Sequence, residues 1–99
     1  MTTTAGNKVY VGDVGTEILV DTGVALATAT VLELHVMKPG ATAPVTWTGT
    51  ISGATSISYL VIAADLDVAG DYTVQPYLEM PDWKGHGHAA RFHVWPEFN

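Results

Sequence analysis

Ninety-nine residues give room for one domain and one modest core, and 47% hydrophobic against 14% charged residues excludes a disordered chain. The net charge of −6, with only Lys8, Lys38, Lys84 and Arg91 as scattered basic residues, argues against a nucleic-acid partner, because no cluster neutralises adjacent phosphates. With no cysteine, disulfides and thiolate metal sites are excluded.

Residues 1–7 are small and polar and are expected to form a flexible arm ahead of a domain over 8–95. They carry neither the charged start nor the apolar run of an export signal, and no apolar run approaches the ~20 residues that span a bilayer. The expectation is a chain made in a cytoplasm that leaves it only inside a larger assembly or by lysis, with no membrane partner. The few charges leave Thr, Ser, Gly and Ala to cover much of the surface, as suits a protein packed against neighbours.

Residues 8–11 predict a short strand, and Gly12-Asp13-Val14-Gly15 a turn. Ile18 and Val20 alternate with Glu17 and Leu19 in a second strand over 16–21. Residues 25–29 are a connection that could carry a helical turn, with Leu26 plugging the open end of the core. In residues 30–38, Leu32, Leu34 and Val36 point one way and Val31, Glu33, His35 and Met37 the other. Pro39-Gly40 ends that strand. The next runs through Val45, Trp47 and Gly49 to Thr50, and after a turn at Ser52-Gly53 another follows with Ile57, Tyr59 and Val61 on one face.

A tight corner over 63–70 then feeds a long strand in which Tyr72, Val74, Pro76 and Leu78 alternate with Asp71, Thr73, Gln75 and Tyr77. Pro76 predicts an edge or a bulge. Residues 81–85 read as a hairpin loop holding Trp83, residues 86–95 as the last strand, and 96–99 as a C-terminal tail. Asp67, Gly70 and Tyr72 give the spacing D-x-x-G-x-Y, the pattern of a corner whose tyrosine hydroxyl turns back onto the chain in immunoglobulin-like sandwiches. About seven short strands between Gly and Pro turns predict an all-β fold, an antiparallel immunoglobulin-like β-sandwich, with a small barrel as the alternative.

Candidate sites are few. His86 and His88 would share a strand face, and two imidazoles can grip zinc or nickel. A stable site needs a third ligand from Asp82, Glu79 or His35, so the plainer reading is an exposed strand start. Asp65, Asp67 and Asp71 lack the alternate spacing of a calcium loop, and Asp65 and Asp67 are expected to cap turns. No nucleophile elbow, phosphate-binding glycine loop or His-Glu-x-x-His motif is present, so neither catalytic residues nor a cofactor are expected. Trp83, Trp95 and Phe98 are the expected partner contacts, since exposed large rings signify contact.

Three stretches carry a resemblance. They are residues 8–16 (Lys-Val-Tyr-Val-Gly-Asp-Val-Gly-Thr), residues 29–40 ending in Met37-Lys38-Pro39-Gly40, and residues 64–73 followed by Gln75-Pro76-Tyr77-Leu78-Glu79 and Trp83-Lys84-Gly85. Together they resemble small immunoglobulin-like structural proteins of tailed bacteriophages and are similar to the N-terminal domain of phage baseplate upper proteins. The resemblance implies a virion structural protein without catalysis, a tail or baseplate component connecting tail and fibre. Its partners would be other virion proteins (tail, fibre or capsid subunits), it would be oligomeric within the particle, and it would be made in the bacterial host cytoplasm. Against that family the sequence departs by stopping after the one domain, so a fibre-like extension is not expected. Capsid head decoration is the alternative, and a carbohydrate-binding module using Trp83, Trp95 and the histidines is a third reading.

Overall fold

A computed structural model of the chain describes the backbone of Thr2–Thr3 and residues 9–98. The described residues form strands and turns and no helix. The strands are β1 (Thr2–Thr3), β2 (Val9–Tyr10), β3 (Glu17–Asp21), β4 (Val31–Met37), β5 (Val45–Thr48), β6 (Thr50–Ser52), β7 (Ser56–Leu60), β8 (Gly70–Met80), β9 (Trp83–His86) and β10 (Ala90–Trp95). They make two sheets. One has the order β1-β3-β7-β6, and the other β2-β10-β8-β4-β5, with β9 also paired to β8. Pairing is antiparallel except between β10 and β2, so the larger sheet is mixed. Thr2 and Thr3 pair with Leu19 and Ile18, and the rest of the expected arm lies outside the described residues.

Alternation sets which side chains go inward. Ile18, Val20 and Ile57 from the smaller sheet meet Leu34, Val36, Trp47, Tyr72, Val74, Leu78, Phe92 and Val94 from the larger one in a single core. Two ring pairs anchor it. Trp47 stacks on Tyr59 at 4.7 Å between the sheets, and Tyr72 stacks on Phe92, its cross-strand partner, at 5.2 Å. Leu26 and Leu66, from connections rather than strands, are also fully buried, each worth roughly 1.5–3 kcal/mol against exposure. The turn at Leu26 is closed by the Ala29 amide donating to the Leu26 carbonyl.

Four expectations need correction. The predicted strand through residue 50 is two strands in different sheets, because the chain crosses over at Gly49. There the Gly49 amide donates to the Leu32 carbonyl, and a Cβ would lie 2.3 Å from Ile57 Cγ2, so only glycine brings the backbone this close. The predicted hairpin loop holding Trp83 is strand β9, joined to β8 by a two-residue turn at Pro81-Asp82. The predicted last strand over 86–95 is broken, since β9 ends at His86 and β10 begins at Ala90.

Pro76 lies at neither an outer edge nor a bulge. The β4–β8 register runs unbroken from Val31↔Glu79 to Met37↔Thr73. On the other side of β8, β10 pairs with residues 70–74 and β9 with residues 77–80. The Pro76 carbonyl accepts from the Gly87 amide on that side, so the ring nitrogen, which has no proton to give, faces the gap where β9 hands over to β10.

Replacing Gly49 with Ala should overpack the crossover against Ile57 and cost about 1–3 kcal/mol, read as a lower urea midpoint at unchanged slope. A midpoint equal to that of the parent chain would mean that the crossover is not tight.

Candidate interaction surfaces

The corner before β8 is tied down by a set of side-chain hydrogen bonds. The Tyr72 hydroxyl donates to the Val68 carbonyl at 2.7 Å and accepts from the Val68 amide at 3.2 Å, so a fully buried ring keeps its polar tip paired. Burial pushes the Tyr72 phenol above its ordinary value, against a lowering by the Val68 bond. Gly70 sits at φ +129°, and a Cβ there would come 2.9 Å from Pro39 Cγ. Asp65 caps the turn, as expected, by accepting from the Ile62 amide at 2.8 Å, and it also accepts the Tyr59 hydroxyl at 2.6 Å. Burial, with that bond, raises the Tyr59 phenol far above its ordinary range.

Asp67 behaves differently from the expected turn cap. Its carboxylate accepts from Lys38 Nζ at 2.9 Å, and the same ammonium donates to the Ala64 carbonyl at 3.1 Å. Lys38 holds the Asp67 carboxyl below its ordinary 3.8. Since 52% of the Asp67 side chain is exposed, solvent screening keeps this pair weak. Asp21 is lowered by accepting from the Gly23 amide and the Thr55 hydroxyl, both at 2.9 Å.

The histidines do not form the pair that spacing implied. His86 ends β9 while His88 lies in the connection beyond it, so the two share no strand face. His86 instead joins His35 and Tyr77 on the outer face of the larger sheet. His35 stacks on Tyr77 at 5.3 Å, and His86 sits 5.4 Å from His35 and 5.0 Å from Tyr77, edge-on or tilted. Two carboxylates border these rings. Glu33 Oε1 is 3.2 Å from His35 Nε2, and the Tyr77 hydroxyl donates to Glu79 at 2.8 Å, a bond that raises the phenol's pKa. Among the described residues no three His, Asp or Glu side chains converge as a metal set. Cross-strand pairing (Glu33↔Tyr77, His35↔Gln75, Tyr77↔His86) brings these residues together, and a strand-by-strand reading could not pair them without the register.

The three expected contact rings lie apart. Trp83 is 45% exposed, at the Met80 end of β8, and its ring covers Gly85, where a Cβ would come 2.5 Å from Cζ2. Trp95 is half-buried at the opposite end of the sheet, just past Val94↔Gly70, with its ring 4.4 Å from that of His93. His93 Nδ1 in turn lies 2.7 Å from Asp71 Oδ1. Ten residues of β8 separate the two ends, about 33 Å at strand rise. Phe98 follows β10 and is fully exposed. The two tryptophans therefore do not build one platform.

Two open grooves flank Thr48. One of about 310 Å³ is lined by residues 29–33 with Thr48 and Gly49, and one of about 320 Å³ by Glu17, Thr48, Thr50 and residues 58–60. Each holds a single carboxylate: Glu33 is beside His35, and Glu17 accepts the Ser58 hydroxyl at 2.6 Å. Neither groove pairs an acid with a base across a reacting centre. No protein-family model matches the chain, and comparison with curated proteins and with solved structures finds no match.

Tyr72→Phe should keep the ring stack and leave the Val68 carbonyl without its donor, costing about 1 kcal/mol in chemical denaturation. Unchanged stability would remove the corner from the interactions that hold the fold. Asp67 and Asp21 each add a small contribution to the acid limb of the stability curve. Both carboxyls are held low in the folded chain, so their contribution is complete above the ordinary 3.8 and disappears as pH falls through their lower folded values. Asp67→Asn should flatten the decline of stability below that pH, and a parallel decline in the variant would show that the Lys38 pair contributes nothing.

Proposed function

We propose that this chain is a non-enzymatic structural protein of a tailed-bacteriophage particle, an immunoglobulin-like sandwich in the tail or baseplate that connects tail and fibre. One observation carries the reading. The three stretches that resemble the phage proteins lie far apart in sequence and meet at the corner. The Gly12 amide of the first donates to the Leu66 carbonyl of the third. Lys38 of the second bonds Ala64 and Asp67 of the third, and Pro39 lies against Gly70. The resemblance thus covers one interlocked unit rather than scattered turns.

The sandwich class is supported by strand order. β1-β3-β7-β6 against β4-β8-β10 corresponds to the A-B-E-D and C-F-G sheets of immunoglobulin-like domains, with β2 and β5 added at the edges of the second. Tyr72, near the start of the strand equivalent to F, bonds back to the chain four residues upstream, as the tyrosine corner does. The chain departs from antibody domains in having no cysteine and in carrying its buried Trp47 on β5. The low charge of the chain agrees with a packing role.

Capsid head decoration rests on the same resemblance and differs in stoichiometry. Carbohydrate binding ranks below both because Trp83 and Trp95 stand at opposite ends of the sheet. Quantitative mass spectrometry of purified virions against the major capsid protein decides between them. The expected result is a copy number that is a small fraction of the capsid-subunit count. A number comparable to that count would assign the chain to the head, and absence from the particle would overturn the structural role.

A further inference from the structure

Between Lys38 and Asp65 the chain runs for 26 residues without Asp, Glu, Lys, Arg or His. In a protein of net charge −6 this is an unusual stretch, and the fold puts both terminal strands of one flank inside it. β5 ends the larger sheet and β6 ends the smaller one. Val45 and Ile51 on these strands are 40% and 43% exposed, and Thr46, Thr48 and Thr50 are exposed between them. Edge strands are ordinarily blunted by lysine, inward-pointing charge or a bulge. β5 has no charge and no bulge, and only its four-residue length and Pro44 just before it limit the edge.

The register shows which backbone groups the edge offers. The Gly49 amide donates to the Leu32 carbonyl, so Gly49, Trp47 and Val45 turn their backbone groups toward β4. Thr46 and Thr48, of opposite parity, turn theirs away from it. An edge with two outward residues separated by one inward residue is complementary to itself. A second strand of the same sequence, run antiparallel about a two-fold axis at Trp47, sets Thr46 against Thr48 of the second copy and Thr48 against Thr46 of the second copy. Both pairs can exchange N–H···O=C bonds in both directions, and the outer face gains two Thr–Thr cross-strand contacts.

We propose that β5 is a self-association edge, where a second copy of this chain extends the larger sheet through antiparallel β5–β5 pairing centred on Trp47. Charge favours a copy here over a copy at the corner or on the outer face of the larger sheet. Two carboxylates border β5: Glu33, opposite Thr48 on β4, and Glu17, which lines a groove with Thr48 from the smaller sheet. Across the joint the two Glu33 residues are separated by both β5 strands, about 14 Å, beyond the ~8 Å screening length of physiological salt. Self-contact at the corner or on the outer face would instead bring Asp65, Asp67, Asp71, Glu33 and Glu79 toward one another. The proposal is independent of any role in a phage particle. The short edge implies a weak contact in an isolated chain, of the kind that many copies in an assembly would reinforce.

The test is sedimentation of the full chain over a concentration series reaching the millimolar range, with amide hydrogen exchange read residue by residue. The expected result is a shift from 10.5 kDa toward twice that mass, with the Thr46 and Thr48 amides gaining protection as concentration rises. Because both threonine side chains are exposed, substituting them leaves the core intact. Thr46→Lys with Thr48→Lys should weaken association roughly tenfold by setting lysine opposite lysine, as should the corresponding pair of Glu substitutions. Mixing the two doubly substituted chains should restore the dimer. Thr46→Pro should also abolish it, since it deletes an outward donor without touching the β4 ladder. A chain that stays monomeric with freely exchanging Thr46 and Thr48 amides would overturn the proposal and leave the edge to solvent or a foreign strand. So would a dimer that survives the lysine substitutions, or a lysine–glutamate mixture that fails to associate although both chains are folded.

Discussion

Pro76 has no amide proton to give, and β8 is arranged around that lack. An eleven-residue strand in the middle of a sheet needs partners along both sides, because buried backbone donors and acceptors left unpaired are costly. Toward β4 the ladder is complete. Toward the other side two strands share the task, and the handover from β10 to β9 falls at Pro76. Gln75 helps close the gap by donating from Nε2 to the Gly87 carbonyl, beside the Gly87 amide that reaches the Pro76 carbonyl. A Cβ on Gly87 would lie 2.7 Å from Pro76 Cγ, so the connection between β9 and β10 needs glycine where it passes the proline ring.

That arrangement determines what the outer face of the larger sheet looks like. Because β9 folds back on the far half of β8, His86 lands beside Tyr77 and across from His35. At the near end, β10 brings His93 opposite Asp71. The face therefore carries two separate ring clusters, each bordered by carboxylate, with Arg91 and Thr73 paired between them. Their rings and carboxylates contact one another within the chain.

The flank formed by β5 and β6 is the chemical opposite. It has no titratable side chain, and its polar character comes from threonine hydroxyls and outward backbone groups. The corner and the outer face spend their polar groups inside the chain, whereas this flank leaves them directed outward. An acidic chain has few places where it can meet its own kind, and the edge strands β5 and β6 both fall within its uncharged run.

Much of this fold follows from local pattern. The inward sets Ile18/Val20, Leu34/Val36, Ile57/Val61 and Tyr72/Val74/Leu78 are readable because a pleated strand with one buried face must alternate apolar and polar residues. Leu26 as a plug and the Tyr72 corner are readable too, one from an isolated leucine among small residues and the other from the spacing Asp67, Gly70, Tyr72. Tertiary structure alone decided the rest. Alternation has the same period on either sheet, so it could not show that Gly49 carries the chain from one sheet to the other; only the approach of Ile57 requires it. Gly-His-Gly-His reads as the start of a strand until β9 is seen to take His86 and leave His88 behind. Exposed rings can be listed from sequence, but whether Trp83 and Trp95 share a surface depends on strand order, and β8 holds them about 33 Å apart. Sequence by itself determined which residues face inward, because that choice is made within each strand. Only the tertiary structure decided which strands become neighbours, because that choice depends on backbone pairing between segments far apart in the chain.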